Sequence, residues 1–455
     1  VEAAKHNLDL TEGVIWKKFL LFLLPIAIGT LFQQFYSTVD AVIVGQFVGA
    51  DALAAVGGSA AVIVQLVVGI FTGLSSGATV VISHGYGAGD KEKLHHAVHS
   101  AVAFSLLAGA IITVVGILLT PDALRWTKNP QEIMGDATLY LRLYFLGTIP
   151  TLLFNMGAGI LRAVGDAKRP LYYLVVCCLM NVVLDLLFVA GFGMGVDGAA
   201  LATVISQAAS AALGFWRLCH TTGPYRIWFR KVRFHGRTLR QLLTLGIPSG
   251  VQNSIIAIAN VVVQSSINLY GPMAMAGCGS YSKIEGFGFL PINSFALALA
   301  TFIGQNLGAK QYDRARRGAR FGILCSLMMA EVVGVCINLL APWLISLFNG
   351  DPQVIAFGTL QARTVTLFYF LLAFSHSVAG VMRGAGRAIV PMLVMLVCWC
   401  VIRVSYIMLV ARASGNIQMV FWAYPITWAL SSVAFLIYFL RGDWLHYLER
   451  KERTA

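Results

Sequence analysis

GILRAVGDAKRP, residues 159–170, returns as GVMRGAGRAIVP at residues 380–391. Gly159/Gly380, Arg162/Arg383, Gly165/Gly386 and Pro170/Pro391 match at an offset of 221 residues. Gly87-Ala88 and Gly308-Ala309 match at the same offset, and Pro25 and Pro248 match at 223. Gly49, Ala52, Ala54 and Gly57 match Gly271, Ala274, Ala276 and Gly279 at 222. Small-residue coincidences are cheap in apolar helices, but Arg and Pro coincidences in a fixed order are not. The chain therefore reads as an internal duplication. In each copy a basic residue sits near the C-terminal dipole of a helix, Gly can supply a cap with φ > 0, and Pro opens the next helix.

What lies around these repeated loops is apolar. Of the residues 58% are hydrophobic and 12% charged, against about 25% charged in a soluble domain, and the mean hydropathy is +0.76. The apolar residues come in blocks long enough for a hydrocarbon core of about 30 Å. Twelve spans are expected, near 16–44, 52–82, 95–120, 137–161, 170–190, 198–218, 239–268, 275–304, 317–341, 357–382, 391–411 and 418–440. The fold class is thus an all-α polytopic membrane protein. Six spans per copy return the chain to its starting side, so the two six-helix bundles should be related by a pseudo-two-fold axis along the membrane normal, with a central cleft. The expected divisions are an N-terminal segment 1–15, an N-lobe 16–218, a basic linker 219–238, a C-lobe 239–440 and a tail 441–455.

The formal charge of +13 raises nucleic acid as a partner, but its distribution speaks for membrane topology. With the N-terminus inside, only Arg125, Lys128 and Arg412 fall in external loops, which makes both termini cytoplasmic in a multi-pass plasma membrane protein. The run Arg226–Arg240, interleaved with Trp228, Phe229 and Phe234, reads as a juxtamembrane linker facing anionic lipid, with no nucleic acid bound. The stretch VEAAKHNLDLTEG lacks the apolar core of a secretory signal, so the first span is read as a retained helix. The eight cysteines show no metal spacing and read as apolar thiols.

Ionisable groups at membrane depth are costly and mark function by default. Asp40 lies in FYSTVDAVIVG, residues 35–45. Asn181 and Asp185 are four apart on the fifth span and share a helix face. Asp185 is 15 residues past Pro170, roughly 22 Å from the inner end. Thr203 lies early in the sixth span, so all four groups fall in the outer half of the membrane in one copy of the repeat. Two carboxylates, an amide and a hydroxyl suit a small hard cation such as Na⁺. They can equally share a proton, because adjacent carboxylates resist double ionisation. The second copy lacks this set: Asn181 maps to Ile402, Asp185 to Tyr406, Thr203 to Tyr424, and Asp40 to Val261 or Val262.

Weaker candidates for a secondary or substrate site are Gln34, Asn155, Lys283 and Glu285; Gln33, Gln34 and Asn155 also suit interhelical hydrogen bonds. Glu331, Arg363, His376 and Arg403 stand in or near later spans as ion pairs or substrate contacts, with the roles of Glu285, Glu331 and Arg403 open. No GxxxxGK[ST], HExxH or GxSxG motif is present. Ser375 and His376 are neighbours on one helix and diverge, so an embedded enzyme is disfavoured and no cofactor is expected.

In order and spacing these features resemble the MATE multidrug and toxic-compound extrusion family over about residues 12–440. The resemblance rests on six plus six spans and on Pro25 with Asp40 in the first. It rests also on GAGD at Gly87–Asp90, LRAVGDAKRP, the Asn181/Asp185 pair, IGQNLGAK and VMRGAGRAIVP. It implies a monomeric antiporter in which H⁺ or Na⁺ enters while amphipathic, often cationic drugs leave by alternating access. The cation site implied is Asp40, Asn181, Asp185 and Thr203. The seventh-span stretch VQNSIIAIANVVV lacks the acid of the NorM-like branch, which points to the DinF-like branch. A flippase of lipid-linked precursors is the alternative, and would need Arg363 and Arg403 in a basic cavity.

Overall fold

The computed structural model describes residues 8–48, 59–126, 131 and 134–453. Among the residues named above, Gly49, Ala52, Ala54, Gly57 and Lys128 lie outside the described residues, as does the start of the second span. All regular structure described is helical: α1 (Ile15–Phe47), α2 (Ser59–Gly87), α3 (Lys91–Trp126), α4 (Met134–Leu146), α5 (Thr148–Ala163), α6 (Lys168–Asp185) and α7 (Val196–His220) come first. Then follow α8 (Gly236–Ile267), α9 (Pro272–Gly308), α10 (Tyr312–Ser346), α11 (Pro352–Val365), α12 (Tyr369–Gly384), α13 (Ile389–Met395), α14 (Arg403–Tyr406), α15 (Arg412–Ser414), α16 (Ile417–Arg441) and α17 (Tyr447–Arg453). Among the described residues, eleven stretches are long and apolar enough to cross a membrane, and the pair α4–α5 makes a twelfth if its halves form one span.

The chain divides into two compact units, residues 1–10 with 24–250 and residues 11–23 with 251–455. In the first, α5 packs against α2, α3 and α7. In the second, α12 packs against α9, α10 and α16. The helices α5 and α12 begin and end 221 residues apart, so the duplicated sequence builds the same central element twice. Close helix approach is permitted where side chains vanish: a Cβ on Gly73 or Gly77 of α2 would overlap the backbone of Gly250 or Gly246 of α8.

The fourth span departs from the single helix expected over 137–161. It is bent by 47° between Leu146 and Thr148. Pro150 has no N–H to return to the Leu146 carbonyl. The Phe145 carbonyl beside the break accepts from Thr113 Oγ1 of α3 at 3.0 Å. The tenth span, Pro352–Gly384, is not bent in this way but tightens at the equivalent place into the 3₁₀ turn Thr366–Phe368. There Asn338 Nδ2 of α10 donates to the Arg363 carbonyl (3.4 Å) and to Thr366 Oγ1 (3.2 Å). A polar side chain from a neighbouring helix thus takes up each interruption, which is what a break inside hydrocarbon requires.

The repeated loops are capped alike. Gly165 and Gly386 have φ of 86° and 82°, and their N–H groups donate to Arg162 O (2.9 Å) and Arg383 O (2.8 Å). At a second repeated loop the pattern departs. Gly89 has φ of 67°, but 221 residues on the same left-handed conformation is held by Lys310 at 58°.

In the linker, Trp228 N donates to His99 Nε2 at 3.0 Å and His235 N to Ser100 Oγ at 3.1 Å, fastening the basic segment to the start of α3. Burial, then His96 and Arg233, push the His235 imidazole below its ordinary range. The eight cysteines are free; Cys336 is exposed rather than buried.

Candidate functional site

Sequence periodicity places Asp40 and Tyr36 one turn apart on α1, and Asn181 and Asp185 one turn apart on α6. Packing of α6 on α7 brings Thr203 to them. Asn181 and Asp185 are fully buried. Oriented to satisfy both of its ends, the Asn181 amide donates from Nδ2 to Asp185 Oδ2 (3.0 Å) and accepts at oxygen from Thr203 N (3.3 Å). The Thr203 hydroxyl lies 3.3 Å from the same amide and donates to Ala199 O at 3.1 Å.

The carboxyls of Asp40 and Asp185 come within hydrogen-bond reach of each other, though 145 residues separate them in sequence. Asp40 Oδ1 and Asp185 Oδ1 are buried without a partner. Beside the pair, Ile43, Val44, Val189, Val196 and Ala199 form an apolar cluster against which Tyr140 packs. Two carboxylates in contact behind such a wall cannot both hold a charge without a third positive centre. The arrangement can therefore share one proton or clasp one small cation. The possible donor atoms are carboxylate, amide and hydroxyl oxygens, the set that a hard cation takes. Among the described residues no group of three or more His, Cys, Asp or Glu forms a transition-metal type of site.

Two neighbours of the acids escaped sequence reasoning. The Tyr36 phenol lies close to Thr203 and Asp40, and Tyr140 of α4 lies near both Asp40 and Asp185. Tyr36 carried one usable signal, its four-residue spacing from Asp40. Tyr140 carried none, because a tyrosine in a span reads first as packing.

At the C-terminal end of α6 the backbone widens. Asp185 is its last α-helical residue, and Leu186–Gly191 follows as a π-turn. Such turns insert a residue into a helix and often accompany functional groups. Here the second unit has one too, at Ile407–Ala411 after Tyr406, again at an offset of 221. The turn therefore belongs to the shared backbone, not to the acid.

The other candidates lie elsewhere. Gln34 is half-buried on α1, and its carbonyl accepts from Thr38 Oγ1 at 3.0 Å. Asn155 Nδ2 donates back to Thr151 O at 2.9 Å, while its carbonyl accepts from Ser75 Oγ at 2.7 Å. Lys283 is exposed, with Nζ 5.6 Å from the Phe348 ring. Two residues on, Glu285 turns inward and accepts from Tyr281 Oη (3.2 Å), which meets Tyr369 Oη at 3.1 Å. Arg403, 1% exposed, donates from Nη2 and Nε to Thr427 Oγ1 (2.8 and 3.1 Å) and from Nη1 to Asn260 Oδ1 (3.5 Å). Its guanidinium carbon lies 4.6 Å from the Tyr424 ring centre, a cation–π distance. Glu331 is half-buried on α10 with Oε2 unpaired, and Arg363 is exposed.

No nucleophile and base converge at the one pair proposed for an enzyme. Ser375 is held by Ser431 (2.9 Å) and Ser432 (3.1 Å). His376 instead faces the Phe289 and Trp399 rings.

Comparison with known proteins agrees with the duplication. The MatE family model matches twice, over residues 25–187 and 248–409. The probable multidrug resistance protein YpnP of Bacillus subtilis is 28% identical over 439 residues, covering 96% of this chain and 97% of that protein. The FAD transporter of Shewanella oneidensis is 24% identical, with 94% and 95% covered. Among solved structures, a MOP superfamily transporter from Pyrococcus furiosus, described as having a binding pocket of reverse polarity, superposes with a TM-score of 0.90 at 26% identity and covers 96% of this chain and 98% of that one. A MATE structure in complex with MaL6 gives 0.90 at 25% identity, with 96% and 99% covered. With both copies of the repeat matched by the family model and about a dozen apolar helices in the fold of solved MATE structures, this chain belongs to the MatE family of membrane transporters and is not an enzyme.

Proposed function

We propose that this transporter is a cation-coupled antiporter, driven by H⁺ or Na⁺, that exports amphipathic and often cationic organic compounds by alternating access. One observation carries the reading: Asp40 and Asp185 meet behind an apolar wall, each with a buried oxygen unpaired. A coupling cation or proton supplies the missing positive centre, and its loss leaves two like charges that the site cannot hold together. In the proposed cycle Asn181 positions Asp185 and Thr203, and these three with Asp40 take up and release the coupling ion. The names of relatives, such as YpnP, support a drug-like cargo. The absence of an acid in VQNSIIAIANVVV supports the DinF-like branch.

In the same proposal the lobes are residues 16–218 and 239–440, both termini face the cytoplasm across the plasma membrane, the protein works as a monomer, and no cofactor takes part. Gln34, Asn155, Lys283 and Glu285 are proposed as secondary positions toward the substrate. The alternative, flipping of a lipid-linked precursor, draws less support, because Arg403 is already engaged by Thr427 and Asn260.

The test is dye efflux from liposomes with pH and Na⁺ gradients imposed separately. A gradient of one of these ions should drive efflux by the wild type and not by Asp40→Asn. Wild-type rates from Asp40→Asn would sink the coupling assignment.

A further inference from the structure

At one end of the second unit, α1 and α10 begin side by side around a cavity of about 410 Å³, bordered by Ile15, Lys310, Gln311, Tyr312, Asp313, Arg314 and Arg317. The stretch KQYDRARRGAR, residues 310–320, holds five cations against the single acid Asp313. Their uses differ. Arg314 is occupied within the fold, donating from Nη1 and Nη2 to Gly13 O (2.6 Å) and Glu12 O (2.9 Å). Lys310 and Arg317 are exposed at the cavity. Lys310 holds its place in a left-handed conformation where the other copy of the repeat has Gly89. Both helices that open here are membrane spans, starting at Ile15 and Tyr312, so the cavity lies where hydrocarbon gives way to water. Along α1 below it, Trp16, Leu20 and Leu21 are exposed at 56%, 39% and 47%. Cations above an exposed apolar face match the two ends of one molecule, an anionic phospholipid.

We propose that this cavity is a headgroup site for an anionic phospholipid, with Lys310 and Arg317 on the phosphate and the acyl chains along Trp16, Leu20 and Leu21. It is separate from the acid pair of the other unit and stands or falls without the transport reading. The shared chemistry is a phosphate monoanion, and the lipid is favoured over free phosphate by the apolar face that continues from the cavity.

Native mass spectrometry of the full chain in detergent tests this, with phosphatidylglycerol, phosphatidylcholine and inorganic phosphate as separate probes. Phosphatidylglycerol should be retained and phosphatidylcholine should not. The double variant Lys310→Gly, Arg317→Gln should lose at least about tenfold in phosphatidylglycerol affinity, since each basic group near an anionic headgroup is worth about fivefold. Glycine suits the positive φ, so this variant keeps its fold, and Arg317→Lys should restore most of the binding in the Lys310 background. Equal retention by wild type and double variant would overturn the proposal. So would loss of retention only on Arg230→Gln, Lys231→Gln in the linker, or binding of inorganic phosphate with no preference between the two lipids.

Discussion

The two units place different charges on one backbone. In the first, Asp185 ends an α-helical stretch just before a π-turn and meets Asp40, with oxygens left unpaired. In the second, Tyr406 stands at the same position before the same turn, and the nearby charge is Arg403, tied to Thr427 and Asn260. Beside this turn the first unit leaves carboxyl oxygens unpaired, and the second gives its guanidinium partners. A buried ionic group with its partners in place rigidifies, while one without them is available to a ligand. Duplication thus separates what the fold needs, the π-turn and the caps at Gly165 and Gly386, from what was added to one copy only.

The contrast can be broken from either side. The largest effect is expected on removing the satisfied charge: Arg403→Leu deletes the guanidinium that donates to Thr427 and Asn260 and should cost about 3 kcal/mol of stability, the worth of hydrogen bonds from a charged group. Thermal unfolding in detergent measures this, and the ion dependence of residual transport should not change. An unshifted midpoint would show that the second network is not structural.

Next comes the unsatisfied pair. Asp185→Tyr, which imports the residue that the other copy carries at this place, should fold with wild-type thermal stability but lower gradient-driven efflux by more than about tenfold, or 1.4 kcal/mol. Loss of folding instead would mean that the acid, not the turn, holds α6. A milder change, Asn181→Leu, removes the group that positions Asp185 and Thr203. It should reduce efflux by roughly fivefold, the worth of a hydrogen bond of about 1 kcal/mol, read as a lower apparent affinity for the coupling ion.

The smallest effect concerns the loops. Lys310 occupies a conformation that suits the glycine of the other copy, so Lys310→Gly should raise stability by up to about 1 kcal/mol. A fall in the unfolding midpoint would show that the lysine side chain contributes more than its backbone costs.

Much of the site was legible because charges in an apolar run have few innocent explanations. Asp40, Asp185, Asn181 and Thr203 could be named from depth and helix spacing alone. Tyr140, Thr427 and Asn260 could not, since hydroxyls and amides in spans are cheap enough to occur as packing. The break after Leu146 and its counterpart at Thr366–Phe368 were illegible for another reason. An apolar run of spanning length looks the same whether one helix or two cross the membrane, and only the side chains of Thr113 and Asn338, from other helices, make the interruptions affordable.

By itself the sequence determined the solvent, the duplication and the asymmetry of charge between the two copies. Block length, the Arg and Pro coincidences and the missing acid at Tyr406 are properties of residues in order. Tertiary structure alone decided which faces meet. Helical periodicity puts Asp185 on the same side as Asn181 and sends Lys283 and Glu285 apart, but it says nothing of the neighbour each side finds. That Asp40 and Asp185 come within reach of each other, while the Tyr281 that Glu285 accepts from finds Tyr369 across the bundle, is a fact of packing, because contacts between helices depend on how whole surfaces fit.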